Sequence, residues 1–490
     1  MNARELVWDM LTEVNERSAL SHEVFTAAMA KHDPEGAERA LATQLFNGTL
    51  ERQLTIDAVL EKQTGRTVGK IKPKIRNLLR MSAYQMLFLQ RVPAAVACSE
   101  AVTLAKKRGL AGLSGFVNGT LRGLDRVVKA HGGQQEYLQE VSRGMEETER
   151  LGFLYSAPAW MIRRWREDFP KADIERILAA SLAEGGTNIR VNRSRGTKEE
   201  LEEALSQEGV HVAPGILGNC LRLTGSGNPA ALAAYREGRF SIQDTSAVLA
   251  GNLLPLAPGM KVLDLCAAPG GKTVHVADEL AALHAEARKS EAEAGANPGM
   301  EPEAGGFADS VQSRGGTYAV ESRDISEGKL PMIREQLERV GLAGVHCATA
   351  DASVYDPSLE AWADVVIADV PCSGLGVIGR KPDIKYKTKP EDIGALAAIQ
   401  RAIVRQAVRY VKPGGYLSYS TCTLAHEENE GVAAFIASLG MTPVDLSEQL
   451  PTEIRESCGR QGGLDGIGVQ IFPEPKRWDG FYIAGFRKPE

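Results

Sequence analysis

The sequence predicts a multidomain protein. It has an all-α N-terminal domain, a small α+β middle unit, and a C-terminal Rossmann-like α/β part with a mainly parallel, doubly wound sheet. Three observations predict this. Over residues 1–140 apolar side chains recur at helical spacing. From 241 to 490 short apolar runs alternate with helical segments, the pattern of parallel strands joined by crossovers. From 145 to 240 the two patterns mix. A chain of 490 residues also exceeds what one core ordinarily supports.

The N-terminal helices are read from their faces. Leu6, Val7, Met10, Leu11 and Val14 share one side of a first helix. Segments around 37–49, 71–90, 94–107 and 113–130 repeat the pattern. Lys70, Lys72, Lys74, Arg76 and Arg80 cluster, as do Lys106, Lys107 and Arg108. Such clusters are ordinarily solvated helix faces, yet a helical domain carrying two of them is a candidate for RNA binding.

In the middle unit, Ile189-Arg-Val-Asn-Arg193, Val210-His-Val212 and Cys220-Leu-Arg-Leu223 read as strands. Thr197 followed three residues later by Glu200 is a capping-box signature. Arg190, Arg193 and Arg195 lie on the first strand and its exit, which makes this unit a second RNA-binding candidate.

In the C-terminal part, Lys261–Cys266, Thr317–Ser322, Val345–Ala350, Asp364–Asp369 and Tyr416–Ser420 are expected strands. Helices are expected at 327–340 and 391–411, and Phe481–Phe486 is a last, antiparallel strand. Residues 285–314 are rich in Ala, Glu and Gly and poor in large apolar side chains, which predicts a disordered insertion.

Composition excludes several classes. Charged and polar residues interrupt the first 24 positions, so no signal-peptide core is expected there. No apolar run approaches the ~20 residues of a membrane span. Seven cysteines without a Cys-x-x-Cys pair suit neither a disulfide framework nor a structural zinc site. A cytoplasmic protein without a metal is expected.

The chemistry gathers at the ends of the C-terminal strands. Asp264-Leu-Cys266-Ala267-Ala268-Pro269-Gly270-Gly271-Lys272 leaves the first strand and opens a helix. Its glycines let the backbone turn sharply and approach a ligand. The spacing is neither that of a P-loop nor G-x-G-x-x-G. Asp324 follows the second strand, where a ribose-binding acid belongs, with Glu321 as a rival. Asp351 and Asp369 end the third and fourth. Cys372, in Asp-Val-Pro-Cys-Ser-Gly, and Cys422, in Ser-Thr-Cys-Thr, each follow a strand, which points to thiol chemistry. Cys98, Cys220, Cys347 and Cys458 have no such context and read as packing. His275, facing out of a helix, and His426 read as structural.

These motifs resemble those of the S-adenosylmethionine-dependent RNA cytosine-5 methyltransferases. The match extends through Arg380-Lys-Pro-Asp-Ile-Lys385, Pro413-Gly-Gly415 and His426-Glu-Glu-Asn429. The helical part is similar to the domain of the antitermination factor NusB, on its helix pattern and on Phe116-Val-Asn-Gly-Thr-Leu-Arg122. The combination resembles bacterial methyltransferases of 16S ribosomal RNA. The resemblance implies S-adenosyl-L-methionine bound by Cys266–Lys272, with Asp324 on the ribose, Asp351 at the adenine and Asp369 beside the reacting centre. It implies Cys422 as the nucleophile and Cys372 as the group that assists product release. The residue sequence itself leaves open which cysteine attacks. The expected partner is 16S rRNA, free or in an early precursor, acted on by a monomer.

Overall fold

The computed structural model describes residues 2–182, 186–224, 228–293, 320–460 and 466–490. The chain divides into two compact units. One comprises residues 1–183 with Ile378–Pro390; the other comprises residues 184–377 with Glu391–Glu490.

The first unit is helical. Its first helix, Ala3–Arg17, starts at Asn2, whose side chain accepts the Glu5 N–H at 2.9 Å. Leu6, Val7, Met10, Leu11 and Val14 are all buried, as their spacing predicts. They pack with residues of the helices Gly36–Glu51, Pro73–Phe88 and Ser114–Ala130, including Phe46, Leu78 and Leu121. Helices continue through Glu147–Tyr155, Ala159–Asp168 and Lys171–Ala180. Much of the expected basic surface is turned inward to acids. Arg80 pairs with Asp57 at 2.6 Å, Arg76 with Glu16 at 2.7 Å, and Lys107 and Arg108 with Glu5 at 2.6 and 2.9 Å. Lys70, Lys72, Lys74 and Lys106 remain exposed.

Residues 378–390 return to this unit, although the motif Arg380–Lys385 lies in sequence among those of the C-terminal part. Its side chains satisfy helix ends. Asp383 accepts from the Ser21 N–H and hydroxyl, at the start of the helix Ser21–His32. Lys385 Nζ donates to Glu51 O at 2.7 Å, and the Tyr386 hydroxyl donates to Leu50 O. Both carbonyls lie at the end of Gly36–Glu51, where the last backbone acceptors lack helical partners. Burial pushes the Lys385 ammonium down to about 7.

The second unit holds two sheets among the described residues. Strands β1 (Thr187–Val191), β2 (His211–Pro214), β3 (Cys220–Thr224) and β4 (Phe240–Ile242) form an antiparallel sheet in the order β2-β3-β1-β4. The capping box forms: Thr197 Oγ1 accepts from Glu200 N at 3.2 Å, and Glu200 accepts from Thr197 N at 2.8 Å. Arg190 and Arg193 do not present a free basic face. Arg190 is fully buried, 2.6 Å from Asp278, and Arg193 pairs with Glu279 and Glu286.

The large sheet contains β5 (Val262–Asp264), β6 (Val320–Asp324), β7 (Val345–Thr349), β8 (Ala363–Asp369), β9 (Val411–Thr421), β10 (Thr442–Val444), β11 (Val469–Ile471) and β12 (Phe481–Arg487). The path is β10-β12-β9-β8-β5-β6-β7, with β11 paired to β12. Strands β5 to β9 are parallel, and β12 runs antiparallel to β9, as expected. Val262, Val365 and Ile367 face one helical layer, and Leu263, Val366 and Ala368 the other. Both faces are covered, as a doubly wound sheet requires. Strand order reverses between β5 and β8, the place where such sheets form a ligand crevice.

The expected insertion starts inside a helix. Gly271–Glu293 is continuous, so 285–293 extend it rather than interrupt the fold. The Ala- and Glu-rich composition that suggests disorder is also helix-forming. Residues 294–314, and the first part of the expected strand at 317–319, lie outside the described residues.

Candidate active site at the strand ends

The glycine loop springs from β5. Ala267 N donates to Arg323 O at 2.9 Å, and Gly270 N to Ala267 O at 2.7 Å, closing the turn. Gly270 has φ +110°, and a Cβ there would lie 3.2 Å from the Ile333 Cα, so backbone conformation and close approach both require glycine. Asp264 is fully buried at the root of the loop. Burial pushes its carboxyl up to about 7, although the Thr273 hydroxyl donates to it at 2.7 Å. Cys266 is mostly buried, and desolvation raises its thiol far above its ordinary range.

The acids differ in what they do. Asp324 ends β6 and holds the loop: it accepts from Ala268 N at 3.0 Å and Ser326 N at 2.9 Å. Glu321 is buried lower on the strand, 2.7 Å from both Arg323 Nε and His346 Nδ1. Its carboxylate is committed away from the loop. Asp351 lies just beyond β7 and is exposed; hydrogen bonds from Ser353 hold its carboxyl below the usual range. Asp369 ends β8, between Lys272 Nζ at 2.6 Å and the Ser420 hydroxyl at 2.7 Å. Lys272 thus turns from the glycine loop toward Asp369, and it also sits 4.9 Å from the centre of the Phe481 ring.

The two cysteines converge from adjacent parallel strands, β8 and β9. Their sulfurs are 3.3 Å apart, and Cys422 N donates to Cys372 Sγ at 3.3 Å. The hydrogen bond with Cys422, together with burial, pushes the Cys372 thiol well above its ordinary range. Close backbone packing underlies the pair. Gly376 N donates to Cys422 O at 3.0 Å, and a Cβ on Gly376 would lie 2.3 Å from Gly480 O.

The structure therefore gathers Cys266–Lys272, Asp324, Asp369, Cys372 and Cys422 along one sheet edge, with Asp351 at its outer rim. His275 does not face out, as its sequence position suggested. It is fully buried, and burial holds its imidazole neutral. His426 is exposed, 3.2 Å from Glu430. Sequence reasoning missed Ser373, Gln400, Ser420, Thr423 and Glu428. Ser373, Ser420, Thr423 and Glu428 lie inside the motifs quoted above, though none was singled out; Gln400 carried no signal.

A doubly wound sheet with a glycine turn and a row of acids at its switch point is a fold for binding a nucleotide-like cofactor. The class of the protein follows from comparison with known families. Residues 307–487 match the 16S rRNA methyltransferase RsmB/F family, residues 157–228 the ferredoxin-like domain of RsmF/B-like methyltransferases, and residues 1–126 the NusB family. Over 491 residues the chain is 32% identical to a probable ribosomal RNA small subunit methyltransferase B of Bacillus subtilis, covering 99% of both. It is 29% identical to the corresponding probable protein of Synechocystis, covering 100% of each. The ribosomal RNA small subunit methyltransferase B of Shewanella oneidensis is 28% identical, with 100% of this chain and 99% of that protein covered. The chain belongs to the ribosomal RNA small-subunit methyltransferase B family. Its fold is similar to the crystal structure of PH0851, with a TM-score of 0.74 at 22% identity, covering 100% of this chain and 99% of that one. NSun6 from Pyrococcus horikoshii with SFG gives 0.53 at 20% identity, covering 69% of this chain and 100% of that one. No described helix is long and apolar enough to cross a membrane.

Proposed function

We propose that the protein methylates carbon 5 of a cytosine in 16S rRNA, through a covalent cysteine–cytosine adduct, with S-adenosyl-L-methionine as methyl donor. The family fixes the broad activity, an rRNA methyltransferase. The finer reading rests on one observation: two thiols 3.3 Å apart, one of them held protonated by the other and by burial.

Carbon 5 of cytosine is a poor nucleophile. A thiolate adding to carbon 6 makes it enamine-like and able to accept a methyl group. Cys422 is the attacking sulfur. Cys372 keeps its proton and donates a hydrogen bond to Cys422, which favours the Cys422 thiolate. After transfer, a base from solvent takes the carbon 5 proton; the freed pair restores the 5,6 double bond and expels Cys422 as thiolate, and Cys372 assists by its hydrogen bond to the departing sulfur. Asp369 faces ring nitrogen 3. Lys272 Nζ, 2.6 Å from Asp369, and the Ser420 hydroxyl, at 2.7 Å, hold that carboxyl group in place beside the base.

The residues of the crevice suit the cofactor. The donor supplies an electrophilic methyl group when bound. Residues Cys266–Lys272 cradle its methionine end, on the sharp turn that Gly270 permits at φ +110°. Asp324 takes the ribose hydroxyls and Asp351 borders the adenine. The helical residues 1–140 and the middle unit 145–240 handle the RNA, free or in an early small-subunit precursor. Residues 241–490 carry the chemistry, in a cytoplasmic monomer. The test is bisulfite sequencing of 16S rRNA from a deletion strain. One 5-methylcytosine should vanish and return with the wild-type gene; an unchanged pattern overturns the proposal.

A further inference from the structure

Cys372 is gripped on both sides by one buried group. Glu428 is completely buried. Its carboxylate accepts from Ser373 N at 2.9 Å, from the Ser373 hydroxyl at 2.5 Å and from Gln400 Nε2 at 2.9 Å. Gln400 Nε2 also donates to Pro371 O at 2.9 Å. Pro371 and Ser373 are the immediate neighbours of Cys372. The Ser373 oxygen in turn lies 2.7 Å from Thr423 Oγ1, which follows Cys422. The hydroxyl pair runs beside the sulfur pair and ties the two strand ends together at the same level.

We propose that Glu428 is a positioning residue: by holding Ser373 and, through Gln400, Pro371, it fixes the turn that presents the Cys372 thiol to Cys422. The inference deepens the proposed function and rests on Cys372 acting in product release. A carboxylate buried among uncharged donors is costly to keep unless its hydrogen bonds are made. An apolar side chain here would leave the Ser373 N–H and hydroxyl and the Gln400 amide without this acceptor, so the carboxylate is what holds the turn. Burial raises the Glu428 carboxyl itself. Its negative charge also adds, after the Cys422 hydrogen bond and burial, to what keeps Cys372 protonated.

The test compares full-length Glu428→Gln, Ser373→Ala and Cys372→Ser on a 16S rRNA transcript. Glu428→Gln keeps the shape and removes the charge. Losing a charged hydrogen bond should lower kcat about tenfold or more, while KM for RNA stays unchanged. A protein–RNA adduct should persist on a denaturing gel, because transfer outpaces release. Ser373→Ala should do the same more weakly, and it carries the test if Glu428→Gln does not fold. In free enzyme, Glu428→Gln should raise iodoacetamide labelling of Cys372 relative to Cys422. Wild-type kcat without adduct, or a defect confined to KM, overturns the inference. If Cys372→Ser forms no adduct, the release reading fails by itself. The positioning inference is then decided by the labelling ratio, and an unchanged ratio overturns it.

Discussion

The sulfurs of Cys372 and Cys422 lie 3.3 Å apart, at the ends of adjacent parallel strands. At that distance the two sulfurs hydrogen-bond, and Cys422 keeps the Cys372 thiol protonated. The two substitutions should therefore fail differently. Cys422→Ser should abolish methyl transfer and form no adduct, since a hydroxyl is a far weaker nucleophile than a thiolate. Cys372→Ser should attack and methylate but stall before elimination, leaving a band shift on a denaturing gel. The reverse pattern would exchange the roles, and activity in both without adduct would make the thiols structural.

Asp324 is expected to govern cofactor affinity. Its carboxylate holds Ala268 of the glycine loop as well as facing the crevice. Loss of a charged hydrogen bond costs roughly 1.5–3 kcal/mol, so Asp324→Ala should weaken S-adenosylmethionine binding tenfold or more by calorimetry. Glu321→Ala should instead lower stability, because Arg323 and His346 each lose a contact with a buried carboxylate. Stronger loss of affinity in Glu321→Ala would reverse the assignment.

A buried pair ties the middle sheet to the helix Gly271–Glu293. Asp278 meets Arg190 at 2.6 Å and also accepts from Arg193 N and Ser194 N. Arg190→Met should destabilise by about 3–5 kcal/mol, because Asp278 is left buried and uncompensated. Urea unfolding of Arg190→Met/Asp278→Leu should show much of that loss restored. An additive double mutant would mean the pair is incidental.

Lys385 should give the helical unit a pH dependence. Its folded value of about 7 lies below that of an exposed lysine, so the unfolded chain binds the extra proton between the two. Stability should then rise with pH above 7, by up to ~1.4 kcal/mol per pH unit, toward pH 10. Below pH 7 both states are protonated and the slope vanishes. Lys385→Met should remove the slope when the two denaturation profiles are subtracted. Equal profiles would show that the ammonium is solvated.

Removing residues 1–140 takes away the carbonyls that Lys385 and Tyr386 satisfy. The truncated protein should bind cofactor yet be less soluble, and it should methylate RNA poorly. Its RNA binding should also depend less steeply on salt, because phosphate-neutralising lysines are lost. Equal salt slopes for the two proteins would remove the helical unit from RNA binding.

Much of the architecture was legible because its signals are local. The face of Ala3–Arg17, the Thr197–Glu200 capping box and the β5–β9 alternation are all written in neighbouring residues. The strand-end acids and cysteines were legible because the fold sends every parallel strand's carboxyl end to one edge. What was not legible depends on distant partners. Arg190 looks like a surface cation until Asp278, 88 positions later, arrives beside it. His275 seemed exposed because helical phase cannot reveal a second layer packing over that face. Glu428 is one acid among several in its stretch, and only the placement of Ser373 and Gln400 distinguishes it.

The segment Ile378–Pro390 sets a timetable for synthesis. Helices through Ala180 leave the ribosome early, but Asp383, Lys385 and Tyr386 are made last of all the parts that complete their unit. Roughly 200 residues separate the two, which at ~5–20 residues per second is a wait of about 10–40 s. During it, Ser21 has no carboxylate to cap it, and the carbonyls of Leu50 and Glu51 stay open to water. The amino-terminal unit of the nascent protein is thus finished only while the catalytic sheet is being translated, with β8 already made and β9 still to come.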